Sequence, residues 1–225
     1  MIHNQTFRTA LKYISLILVI ATVLVSSALF SDKQYASVSF ALAVMTCVIF
    51  VTGYEQKKTG TRRLVISSVM TALAMTGRLF PILKPTTAII ILSAVYLGSE
   101  SGFLIGSMTA VLSNFYIGQG PWTPFQMMAL GVIGFVSGIF GERLSQKRSL
   151  LIFYGIICGI AYSFIMDIWT MLWHGQGFDI KIYLTALATA VPVTIQYAVA
   201  NAVFLYLMAK PFGDKLGRIK VKYGV

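Results

Sequence analysis

The sequence predicts an all-α integral membrane protein, and three observations carry that prediction. The first is composition: of 225 residues, 57% are hydrophobic and 11% are charged, against about 25% charged in a soluble domain. A water-soluble core could not hide so much apolar surface, so lipid must solvate much of it. The second is run length: eight apolar runs approach the roughly 20 residues, range about 17–25, that a spanning helix needs. The third is charge placement. With the N-terminus inside, fourteen of the eighteen Lys and Arg residues fall on the cytoplasmic side, as short cytoplasmic loops require.

The runs follow one another as residues 13–30, 35–54, 64–80, 85–99, 101–117, 123–141, 149–173 and 182–209. The run 85–99 is short and 101–117 is short but adequate. The first run is too long for a signal-peptide core and lacks a clear small-x-small cleavage site. Eight spans put both termini inside. Arg8, Lys12, Lys57, Lys58, Arg62, Arg63, Arg143, Lys147, Arg148 and the Lys and Arg residues after 209 are then cytoplasmic, leaving Lys33, Arg78, Lys84 and Lys181 outside. The net charge of +11 is thus mainly a topology signal, not a nucleic-acid footprint, although a basic tail suits anionic lipid. Cys47 and Cys158 lie in predicted spans and form neither a disulfide framework nor a metal site.

The chain divides by character. Residues 1–55 hold two plain helices that read as lipid-facing anchors or a packing addition. Residues 56–63 form a basic cytoplasmic linker, and 210–225 a basic cytoplasmic tail. The six-span unit 64–209 is rich in Gly, Pro, Trp and polar residues, so function is expected there. Glycines recur every fourth residue at Gly98, Gly102 and Gly106, at Gly134 and Gly138, and at Gly155 and Gly159. Small residues at this spacing let helix backbones approach closely in lipid; a tight bundle is the plain reading, a sliding contact with a partner the sharper one. Ser68 and Ala72 suit such a smooth contact.

Polar and aromatic residues gather in three outer loops, 77–85, 114–124 and 173–181. Asymmetry of this kind suggests a ligand site open to the outside. Ionisable residues inside spans are costly and usually functional, and Arg78 and Asp167 are the two best examples. Arg78 either snorkels to the headgroups or holds substrate. Asp167, about one and a half turns inside its helix, makes a structural hydrogen bond or a ligand contact. Trp122, Trp169 and Trp173 fit an interfacial belt, which explains Trp122 least well because it sits in a Gly-Gln-Gly-Pro-Trp-Thr-Pro turn. Gln196 and Asn201 are expected to bond to neighbouring helices, and Pro192 to kink the last one.

Several chemistries are missing. There is no phosphate-binding loop, so the chain should not hydrolyse ATP alone, and no His-Glu-x-x-His or Gly-x-Ser-x-Gly. Two histidines cannot build a multi-histidine site. No intramembrane acid pair marks a protease. No inverted repeat marks a typical secondary transporter. No catalytic residue, metal or cofactor is therefore expected.

Two stretches carry a family resemblance. Gly77-Arg78, Pro81 and Pro85-Thr86-Thr87-Ala88-Ile89-Ile90-Ile91 form one; Ser113-Asn114-Phe115-Tyr116-Ile117-Gly118-Gln119-Gly120-Pro121-Trp122-Thr123-Pro124-Phe125-Gln126-Met127, followed by Gly131, Gly134 and Gly138, form the other. Together they resemble the substrate-binding S-components of energy-coupling factor (ECF) transporters over about residues 62–209. The two N-terminal helices depart from the usual six-helix S-component. The resemblance implies a subunit that captures a vitamin outside and releases it inside, topple-wise, by docking on a membrane coupling protein and two ATPases in a prokaryotic plasma membrane. It implies a binding site drawn from Arg78, Thr87, Asn114, Tyr116, Gln119, Trp122, Thr123, Gln126, Asp167, Trp169 and Trp173. Ser68 and Ala72 resemble the small-residue docking motif, with Ser68 where the family favours alanine. The Asn114–Pro124 pattern most resembles cobalamin-type S-components, while an aromatic mouth of Tyr116, Trp122 and Trp169 suits riboflavin or a queuosine precursor as well. A stand-alone secondary transporter predicts a polar stripe reaching the cytoplasm. A membrane enzyme or structural subunit predicts clustered catalytic residues or no ligand at all.

Overall fold

A computed structural model describes residues 13–14, 16–23, 25, 60–174 and 179–223. Among the described residues from 60 onward, seven helices follow in order: α1 (Gly60–Arg78), α2 (Thr86–Leu97), α3 (Ser99–Ile117), α4 (Thr123–Ile139), α5 (Gly141–Gln146), α6 (Arg148–His174) and α7 (Ile180–Tyr223). No strand occurs among the described residues. The expected run 35–54 lies outside the described residues. Residues 16–23 are helical, as the first run predicts, and Val19 and Val23 are buried in the hydrophobic core. Tyr13 meets Phe135 of α4 edge to face at 6.1 Å. The described part of the first helix is therefore packed on the bundle and not merely an anchor in lipid.

Helix lengths sort the elements. Arg148–Leu172 and Ile180–Lys222 are each long and apolar enough to cross a bilayer. α2 has 12 residues and rises about 18 Å, short of the ~30 Å hydrocarbon core. It is buried along nearly its whole length, covered by α1, α3, α4 and α7. α4 is stopped at Ile139, and a separate short helix, α5, begins at Gly141. Two boundaries differ from the sequence expectation. Gly60–Arg63, expected in the linker, already belong to α1. The basic stretch after 209 continues α7 to Tyr223, with Pro192 and Pro211 inside one unbroken helix. The reason for the second is visible in packing: Leu216 is buried in the core, with Phe212 and Ile219 against it, so this stretch has an apolar face that holds it to the bundle.

The closest packing joins α3 and α4. A Cβ added at Gly102 would lie 2.3 Å from the Gly134 carbonyl oxygen, and one at Gly106 2.2 Å from that of Leu130. Only glycine permits these backbones to touch. This makes α3–α4 a rigid pair, and their linking loop is the centre of the site described below. α6 and α7 form a second pair, tied by the Ser163–Thr194 hydroxyl contact at 2.7 Å and by Asn201 donating to the Gly155 carbonyl at 2.8 Å. Asn201 thus bonds to a neighbouring helix as its sequence position suggests.

At the opposite end from the loop, Arg63 is only 3% exposed. Its Nε donates to Ser101 Oγ at 2.7 Å, and its Nη2 to the Leu97 carbonyl and to Glu100 Oε2, the latter at 3.3 Å. Gly98, with φ of 90°, turns the chain between α2 and α3. A Cβ there would stand 3.0 Å from the guanidinium. Arg63, counted in the sequence as a plain cytoplasmic charge, is a buried strut between α1 and the α2–α3 turn.

Candidate functional site

The other arginine of α1 closes the opposite end. Arg78 is the last residue of α1 and is partly buried. Its Nη1 donates to Ser113 Oγ at 2.7 Å and to the Ala110 carbonyl at 3.4 Å, and its Nη2 to Gln126 Oε1 at 3.1 Å. Arg78 therefore turns inward, onto α3 and α4, instead of snorkelling. It bonds to neutral oxygens and not to Asp167.

Gln126 Oε1 also accepts from Asn114 Nδ2 at 2.9 Å, and the same Nδ2 donates to Thr123 Oγ1 at 2.8 Å. Thr123 donates to Gln119 Oε1 at 3.0 Å, while Gln119 Nε2 donates to the Val111 carbonyl at 3.0 Å. Five of the sequence candidates, Arg78, Asn114, Gln119, Thr123 and Gln126, thus form one hydrogen-bonded network. The fold explains why. α3 ends at Ile117, Gly118 reverses the chain with φ of 122°, and Pro124 starts α4 in its first turn, where proline loses no helix bond. The last turn of α3 and the first turn of α4 are thereby brought side by side.

Aromatic groups flank the network. Trp122 meets Trp169 of α6 with ring centroids 6.0 Å apart and planes at 81°. A Cβ at Gly120 would fall 2.4 Å from the Trp122 ring, so the glycine is what lets that ring fold over its own loop. Tyr162 and Tyr197 make a second edge-to-face pair at 5.3 Å across α6 and α7. Asp167 is buried one helical turn from Ser163, on the face that α6 turns to α7. Its Oδ2 has no hydrogen-bond partner, and neither has Asn114 Oδ1.

The remaining candidates are placed less closely. Thr87 is buried in the first turn of α2. Tyr116 is 78% exposed at the end of α3, beside rather than within the network. The side chain of Trp173 lies outside the described residues. Ser113, Tyr162 and Tyr197 were not singled out by sequence reasoning; Ser113 adjoins Asn114 in the motif, but its pairing with Arg78 across 35 residues leaves no local signal. Gln196 donates to the Ile82 carbonyl, so it holds the loop after α1 instead of a helix. Ser68 and Ala72 lie on an exposed face of α1 with Val65, Val69 and Thr76.

A separate groove of about 210 Å³ runs between α1, α2 and α7, lined by Leu73, Gly77, Ala88, Leu92, Phe204 and Met208 among others. Its one hydroxyl, that of Thr76, is turned back to the Ala72 carbonyl. It offers no polar anchor for a vitamin. Among the described residues, no group of three His, Cys, Asp or Glu side chains comes together as a metal site.

The described residues form a helical bundle that gathers polar and aromatic side chains at one end and includes two helices long and apolar enough to cross a bilayer. The family model described as "ECF-type riboflavin transporter, S component" matches residues 58–218, and the chain belongs to that family. No curated protein and no solved structure matches. Membership makes this chain the substrate-binding membrane subunit of a prokaryotic ECF transporter, not an enzyme; ATP hydrolysis resides in partner subunits. It supports the S-component expectation but not the cobalamin-type specificity expected from the Asn114–Pro124 pattern.

Proposed function

We propose that this chain captures riboflavin, or a closely related flat heteroaromatic vitamin, at the α3–α4 end of the bundle and hands it to an ATP-driven coupling module. The observation that carries the reading is the polar network of Arg78, Asn114, Thr123 and Gln126 beside the Trp122–Trp169 corner. A flavin has a planar ring system for aromatic contact and a rim of carbonyl, N–H and hydroxyl groups for a fixed set of donors and acceptors. The family description favours the same ligand. Asp167, Gln119, Thr87, Tyr116 and Trp173 complete the proposed binding residues, and the site faces outside with both termini in the cytoplasm.

The docking face for the coupling protein is assigned to Ser68 and Ala72. Their exposure on α1 supports it, since small side chains permit close helix approach in lipid. A corrinoid remains the second reading, favoured by the resemblance of the Asn114–Pro124 run to cobalamin-type S-components. Titration of the detergent-purified chain with riboflavin and with cobalamin decides between the two. Saturable riboflavin binding that is lost in Trp122→Ala supports the flavin reading. Cobalamin binding alone overturns it.

A further inference from the structure

A cavity with no part in vitamin capture lies at the end of the bundle that holds Arg63. It encloses about 280 Å³ between the end of α2, α5, the start of α6 and the second half of α7. Small-molecule clefts begin at roughly 300 Å³, so this one suits a single compact polar group. Its lining is divided. Leu144 and Leu151, both buried, form an apolar floor, while Arg148, Lys210, Gln146 and Asp214 stand exposed around it.

The charges favour an anion. Two cations against one carboxylate leave the lining with an excess of one positive charge. In the adjoining chain, Arg143, Lys147 and Lys215 outnumber Glu142. Arg148 is held in place: its Nη2 donates to the Tyr206 carbonyl, and its guanidinium lies 4.3 Å over the Tyr206 ring. A guanidinium carries five N–H donors, so others are left for a ligand. Lys210 pairs with no carboxylate among the described residues. An arginine and a lysine with donors to spare bind phosphate by charge-assisted hydrogen bonds. Basic pockets between membrane helices on the cytoplasmic side take anionic lipid headgroups in this way.

The surface that leads away from the cavity selects a lipid over a free anion. Val199, Val203, Tyr206 and Lys210 follow one another on α7 at intervals of four, three and four, which places them on one helical face, and all four are exposed. The face is an apolar track about 16 Å long that starts at the lysine and runs toward the middle of the bundle. Its tyrosine sits nearest the charge, where interfacial aromatic residues belong. We infer that the cavity is a binding site for an anionic phospholipid, whose phosphodiester lies between Arg148 and Lys210 and one of whose acyl chains follows the Val199–Tyr206 face. Gln146 supplies a neutral donor to the phosphate, and Asp214 accepts a hydroxyl of the headgroup.

The full chain in detergent tests this by titration with dioleoyl phosphatidylglycerol, dioleoyl phosphatidylcholine and sodium phosphate. Thermal unfolding gives the midpoint concentration for each, and native mass spectrometry counts retained lipid. Phosphatidylglycerol is expected to raise Tm saturably, to remain bound as one molecule, and to act at a midpoint at least about fivefold below that of phosphatidylcholine, the worth of one cation near an anionic lipid. Lys210→Gln, a surface change that leaves stability nearly unaltered, should raise the phosphatidylglycerol midpoint about fivefold. Gln146→Glu, which adds a carboxylate at the cavity, should raise it as well. Lys220→Gln makes the same charge change elsewhere on α7 and should leave it unchanged. An equal response to the two lipids, or none to either, overturns the inference. So does an equal loss in Lys210→Gln and Lys220→Gln, which is the mark of diffuse attraction. Sodium phosphate that protects wild type as well as phosphatidylglycerol does would make the ligand a free anion and overturn the lipid assignment.

Discussion

Arg78 and Asn114 converge on a single acceptor, Gln126 Oε1, so the network stands or falls on three side chains from three helices. Gln126→Ala removes that shared oxygen and leaves two donors unpaired, and Trp122→Ala removes one wall of the aromatic corner. Each is expected to weaken ligand binding at least about tenfold, the effect of one lost hydrogen bond or aromatic contact, as measured by titration on protein whose Tm confirms folding. The arginine at the other end of α1 predicts a different phenotype. Arg63→Ala separates Glu100 from its buried cationic partner and should cost about 3–5 kcal/mol of stability, read as a lowered Tm, with ligand affinity retained. The sequence made Arg78, Asn114 and Gln126 legible because polar residues stand out against apolar runs. It hid Arg63 because the last residues of a basic linker look the same whether they end a loop or begin a helix. Only the Gly98 turn, distant in sequence, makes room for that guanidinium.

Among the helices, α3 and α4 owe their rigidity to glycine. Gly102→Ala would drive a methyl against the Gly134 carbonyl oxygen, now 2.3 Å from the ideal Cβ position. Overpacking of this kind costs about 1–3 kcal/mol. The variant should lose stability and, through the loop joining the two helices, affinity; a Tm scan and a titration check both. The four-residue glycine spacing was readable in the chain. Which helices it joined was not, because one spacing serves any helix–helix contact. α1 carries the second prediction at this scale. Ser68→Leu and Ala72→Leu enlarge its exposed face without touching the network, so ligand binding should persist while ATP-driven uptake with the partner subunits falls severalfold or more. Helix ends were the least legible features. The chain does not reveal that the basic stretch after 209 is helical until Phe212, Leu216 and Ile219 are seen to share a buried face.

Taken whole, the molecule has a polar-aromatic site at one end and a buried ion pair at the other, with α1 running between them and fastened to α3 at both. No nucleotide-binding loop accompanies them in the sequence. Capture and energy input are therefore divided between chains, as in the family to which this protein belongs. Reconstituted alone, it should bind ligand but accumulate none; with its coupling protein and ATPases, uptake should require ATP. The all-helical membrane class was plain from composition. The vitamin was not, since tryptophan and tyrosine suit many flat ligands. The measurement that bears most directly on the central claim is riboflavin titration of the purified full chain, followed by flavin fluorescence. One-to-one saturable binding, weakened at least about tenfold by Trp122→Ala or Gln126→Ala, is the predicted result. Folded protein that leaves flavin fluorescence unchanged at every concentration would contradict it.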